Sequence, residues 1–181
     1  MRTFTKLSRL LVPLLVALFV AAPAVIQAQD VANGSATATI LPALQVVAGT
    51  LAFGTVYQGV AKSIANNNAA AGVFQITGAA YAQISIYMQL PDYLQGPTND
   101  RMVVVFGTTD ASVDSTTNIV PTVAVVGGWP NINPHAFPAA TRMGGGGTAA
   151  IFLGGKVIPS VNQTAGAYTA DIVLTVSYTG A

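Results

Sequence analysis

The residues from Gly166 to Ala181 read Gly-Ala-Tyr-Thr-Ala-Asp-Ile-Val-Leu-Thr-Val-Ser-Tyr-Thr-Gly-Ala and alternate apolar with polar side chains almost to the end of the chain. Tyr168, Ala170, Ile172, Leu174, Val176 and Tyr178 fall on one face of such a strand, while Thr169, Asp171, Thr175, Ser177 and Thr179 mostly fall on the other. A strand with one apolar face must lie on a sheet, and no later segment follows it to pair with its far side. The expected partner is a second alternating segment near the other end, Ser35-Ala-Thr-Ala-Thr-Ile-Leu-Pro-Ala-Leu-Gln-Val-Val47.

That segment comes directly after a leader. Arg2, Lys6 and Arg9 precede an apolar run over residues 10–22, and a small-residue stretch ends in Val25-Ile26-Gln27-Ala28. This order is that of a secretory signal peptide cut after Ala28. Pro13 and Pro23 bound a stretch shorter than the roughly 20 residues that span a bilayer, so a retained membrane helix is the weaker reading. The expected domains are a signal peptide over 1–28, an N-terminal extension over 29–41 and one β-sandwich domain over 42–181.

Cleavage reverses the charge of the chain. Lys62, Arg101, Arg142 and Lys156 remain against Asp30, Asp92, Asp100, Asp110, Asp114 and Asp171, so the mature chain is slightly acidic and has no basic footprint for nucleic acid. The sequence has no Cys and no Glu. A secreted domain without disulfides relies on sheet packing for its stability. Its sparse charge suits either a subunit that hides surface against copies of itself or a simply Ala-rich secreted sandwich.

Strand-type segments separated by Gly, Pro and Asn recur over 36–47, 50–53, 73–77, 83–90, 102–108, 119–126, 148–153, 156–160 and 168–178. Several short strands spaced by turns predict an all-β, antiparallel sandwich of immunoglobulin-like size. Asn66-Asn-Asn68 reads as an exposed loop, Gly154-Gly155 as a two-residue hairpin turn, and Asp110-Ala-Ser-Val-Asp114 as a solvated loop. The stretch 127–147, with Trp129-Pro-Asn-Ile-Asn-Pro-His-Ala-Phe-Pro138 inside it, reads as a long surface loop. Trp129 and Phe137 are its candidate contact residues.

Chemistry finds few groups to work with. His135 is the sole histidine, it lies between prolines, and no Gly-x-Ser-x-Gly turn is present to offer a nucleophile. With no Cys, no Glu and one His, a transition-metal site lacks ligands. Gly144-Gly-Gly-Gly147 and Gly154-Gly-Lys156 lack the spacing of a phosphate-binding loop. The expectation is a non-enzymatic chain without catalytic, metal or cofactor residues.

Leu51-Ala-Phe-Gly54, Phe74-Gln-Ile-Thr-Gly78, Ile151-Phe-Leu-Gly-Gly-Lys-Val-Ile-Pro159 and the closing Gly166-Ala-Tyr…Tyr178 strand, in that order, resemble a family of bacterial secreted domains. That family is similar to spore coat protein U-like proteins and to chaperone-usher pilin subunits. The resemblance implies a sandwich lacking one strand, filled first by a periplasmic chaperone, handed on at an outer-membrane usher, and then filled by the N-terminal extension of the next subunit. Ala36, Ala38 and Ile40 would be the donated side chains, and Tyr168, Ala170, Ile172, Leu174, Val176 and Tyr178 the receiving strand. The implied product is an extracellular fimbria-like filament of this one chain, with no membrane span after leader cleavage. The alternative is a monomeric adhesin or binding domain on the cell surface, whose extension folds back into its own groove.

Overall fold

The computed structural model describes residues 34–179; the leader over 1–28, its cleavage site and the extension over 29–33 lie outside the described residues. The chain is all-β, with no α-helix among the described residues. Its strands are β1 Gln45–Val47, β2 Lys62–Ile64, β3 Gly72–Thr77, β4 Ile84–Gln89, β5 Tyr93–Gln95 and β6 Arg101–Val105. They continue with β7 Ala111–Asp114, β8 Gly128–Ile132, β9 Thr148–Leu153, β10 Gly155–Ile158 and β11 Val173–Tyr178.

Every pairing is antiparallel. A five-stranded sheet runs β1-β3-β9-β7-β8, a four-stranded sheet runs β2-β10-β6-β5, and β11 pairs with β4. The inward faces follow from period-two sequence. Phe74 and Ile76 of β3, Ile84, Ile86 and Met88 of β4, and Met102 and Val104 of β6 are all buried, while the residues between them are more exposed. These side chains meet Val113, Ile151, Leu153 and Val157 in one core. Each large aliphatic buried there contributes about 1.5–3 kcal/mol, which makes the core the main source of stability in a chain without disulfides.

Several local expectations are overturned. Residues 110–114 are not a solvated loop: β7 lies in the middle of the five-stranded sheet with all four residues buried, Asp114 among them. The polar positions survive there because they are bonded. Thr116 donates to Asp114 Oδ1 through both its N–H (2.7 Å) and its hydroxyl (2.6 Å), and Asn118 Nδ2 donates to Oδ2 at 3.2 Å. Asn66 is likewise buried rather than exposed, its Nδ2 donating to the carbonyls of Thr109 and Ala111 and to Asn131 Oδ1.

Residues 119–126 form no strand. Side-chain turns at Asp114, Thr116 and Asn118 hand the chain on to a turn in which Val123 N–H bonds Val120 C=O, and Pro121 has no N–H to offer a ladder. Pro121, Val123 and Val125 instead line a cavity of about 310 Å³ over Phe152, and so cover the outer face of β9. The stretch 127–147 contains a strand after all, since β8 pairs with β7. Residues 50–53 are unpaired as a strand, and 36–47 shrinks to β1, because Pro42 interrupts a segment that has no ladder partner before it.

Gly154 is a crossover and not a hairpin turn. β9 and β10 belong to different sheets, and one residue carries the chain between them. A Cβ at Gly154 would collide with the Ile64 carbonyl and sit 2.7 Å from Asn66 N. Main-chain atoms cannot swing aside as side chains do. Gly154→Ala should therefore cost about 2 kcal/mol or more, read as a fall of several degrees in Tm by calorimetry; an unchanged Tm would contradict the crossover packing.

Candidate functional site

The closing strand is longer than β11 alone. Thr169 exchanges two main-chain hydrogen bonds with Gln95, at 2.8 and 3.0 Å, before the strand turns at Asp171 and runs along β4 from Val173↔Gln89 to Tyr178↔Ile84. Pro91 and Asp92 provide the matching bend between β4 and β5.

The parity of this ladder decides the character of the edge. Thr179 N–H donates to Gln83 C=O at 3.1 Å, whereas Ile84 N–H turns the other way, to Thr141 C=O at 2.9 Å. In an antiparallel ladder, residues alternate between bonding the neighbour and facing away from it. Val173, Thr175 and Ser177 therefore bond β4. Tyr168, Ala170, Ile172, Leu174, Val176 and Tyr178 point their N–H and C=O groups to the opposite edge, where no main-chain partner meets them among the described residues.

Five of these six side chains, all but the exposed Ala170, are half-buried against the core. Beside the first part of the strand, from Tyr168 to Ile172, lies an apolar groove of about 850 Å³. Residues 50–58 form its opposite wall, through Leu51, Phe53 and Val56, and Leu94, Met102, Val104, Phe106 and Val157 form its floor. An open ladder edge along an apolar channel can accept an extended peptide, whose main chain completes the ladder while alternate side chains enter the channel.

Two tyrosines clamp the ends of the closing strand. At one end the Tyr178 hydroxyl donates to Pro42 C=O (2.9 Å) and accepts from Ala79 N–H (2.7 Å). At the other, Asp100 Oδ2 accepts from Thr164 N–H, Gln163 Nε2 and the Tyr168 hydroxyl, each at 2.8 Å, and Oδ1 accepts from Arg101 N–H. The Thr164 main chain first, and then the Tyr168 hydroxyl, hold the Asp100 carboxyl well below the usual carboxylate range. Burial of Tyr168 pushes its phenol up, and the adjacent Asp100 charge adds to that shift.

The sign of the acid dependence follows. A carboxyl whose folded pKa is depressed stabilises the fold above its unfolded value, near 4, and that stabilisation is lost as pH falls toward the folded value. Asp114 works in the same direction: burial raises its pKa, but hydrogen bonds from Thr116, Asn118 and the Val126 main chain outweigh burial and leave it lowered. Stability measured by urea titration should drop steeply below about pH 4. Asp100→Asn should flatten part of that drop, and a profile identical to wild type would remove Asp100 from the account.

Elsewhere the structure separates the remaining candidates. Trp129 is on β8 and 41 % exposed, whereas Phe137 is half-buried against the core. Ala36, Ala38 and Ile40 are exposed and outside any strand, Ile40 at 95 %. The polar clamp around Asp100 was not marked by any motif, and the wall over 50–58 was marked only by Leu51-Ala-Phe-Gly54, read as a strand. Alternation located the closing strand but carried no sign of its anchors. Compared with protein-family models, with curated proteins and with solved structures, the chain has no match in any of the three.

Proposed function

We propose that this chain is the structural subunit of an extracellular filament, in which the leading segment of one copy completes the immunoglobulin-like sandwich of the next. The observation that carries the reading is the unpartnered edge of residues 168–178, whose first part lines an apolar groove. The exposure of Ile40, Ala38 and Ala36 in an alternating segment adds a donor of matching periodicity. The leader directs the chain through the periplasm, where a chaperone occupies the groove until an outer-membrane usher exchanges it for the incoming strand.

The energetics favour main-chain pairing over side-chain burial. Each new hydrogen bond contributes about 0.5–1.5 kcal/mol net, so six edge residues carry several kcal/mol in total. Ile40 adds about 1.5–3 kcal/mol and the two alanines much less. Negative-stain imaging of the full chain, secreted with its own leader, should show filaments. Single particles at every concentration would favour the monomeric, self-completed binding domain instead.

A further inference from the structure

Two ends of the body bear exposed apolar residues, most of them outside the groove, whose wall ends at Tyr57 and Gln58. At the first end, Tyr57, Val60 and Val161 are 72 %, 57 % and 73 % exposed. They are held firmly there: Gly59 N–H bonds Ser160 C=O at 3.0 Å, and Ser160 N–H bonds Gln163 Oε1 at 3.0 Å. Gln163 also belongs to the Asp100 clamp, so this end sits where the groove begins, beside Tyr168. At the second end the chain enters the body through Ile40 and Leu41, 95 % and 46 % exposed, and Tyr81, 71 % exposed, follows two residues after Ala79, whose N–H bonds the Tyr178 hydroxyl. Tyr178 marks that end through its bond to Pro42.

Tyr178 closes β11 and Tyr168 stands before its start, beyond the Thr169–Gln95 bridge, so the two rings hold opposite ends of a segment of at most roughly 33 Å. The entry point of the chain and the Tyr57 end are therefore opposite poles of one body. A leading segment over 29–41 is roughly 40 Å long when extended, enough to span a neighbour's groove but not to hold its own body far from it. From these placements we infer that a second copy docks end to end, its Ile40–Tyr81 pole covering the Tyr57, Val60 and Val161 of the copy that receives its strand. This rests on the strand-donation reading, and it adds a body-to-body contact to the strand itself.

The direction is set by the same geometry. A donor whose body lies at the Tyr168 pole sends its segment toward Tyr178 with its N-terminus leading, antiparallel to residues 168–178, which is the more favourable ladder. Folding back into the copy's own groove from Pro42 would instead place the segment parallel to that strand. The contact joins unlike surfaces and repeats without closing, which gives a linear polymer. It also covers apolar side chains that a free copy leaves in water.

The chain has no cysteine, so Tyr81→Cys and Val161→Cys introduced together provide one thiol at each pole and no others. Both sites are exposed, and a bridge within one copy would leave it running as a monomer. Treated with a short bismaleimide, filaments of the double variant should run as a ladder of multiples on a denaturing gel, and each single variant should run as a monomer. Filaments that form normally but yield no ladder would overturn the end-to-end contact and leave strand donation standing. Failure of the unsubstituted chain to form filaments would overturn both.

Discussion

Deletion of residues 29–41 should remove filaments altogether, leaving bodies that do not join one another. No residue of 29–41 lines the groove or belongs to the strand edge over 168–178, so the deletion spares the acceptor and takes away only the donor. A synthetic peptide of residues 29–41 added back should occupy the groove, raise the Tm of the deleted chain and still form no filaments, because each body is then capped. The same peptide with Pro at position 38 should fail, since proline cannot donate to the ladder and its ring disrupts pairing on that edge. Filaments that survive the deletion would refute strand donation.

The largest loss of stability is expected at Asp114. Its side chain has no solvent exposure and organises the start of the covering loop by accepting from Thr116 and Asn118. Asp114→Ala leaves those donors without a partner beside Phe152 and opens the cover over β9. Hydrogen bonds to charged groups contribute about 1.5–3 kcal/mol each and are only partly additive, so a loss of about 3–5 kcal/mol is expected. That is a large share of the roughly 5–15 kcal/mol that keeps a domain folded. The urea midpoint should fall by about 1–3 M at typical slopes, and a midpoint within a few tenths of wild type would contradict the buried network.

Both predictions concern features of very different legibility. The strands β3, β4 and β11 were readable because their buried or half-buried residues alternate with more exposed ones, and β9 because it is a short apolar run buried on both faces. β7 was not readable: Asp110-Ala-Ser-Val-Asp114 looks polar, and only the side-chain turns that follow it make a buried aspartate tolerable. The opposite error occurred at 119–126, where a run of valines reads as a strand but serves as a lid over Phe152. At the site, the receiving face was visible as a pattern. Its clamps were not, because Asp100 meets Thr164 and Tyr168 across more than sixty residues of sequence and contact at that separation leaves no local signature.

Amide hydrogen exchange measured residue by residue on dispersed copies and on assembled material addresses the open edge itself. In single copies the amides of Ala170, Ile172, Leu174, Val176 and Tyr178 should exchange freely, while those of Val173, Thr175 and Ser177, bonded to β4, should be protected. On assembly the first set should become protected as well. Protection of Ile172, Leu174 and Val176 in dilute single copies, or their continued free exchange in the assembled material, would contradict an edge completed by a neighbour.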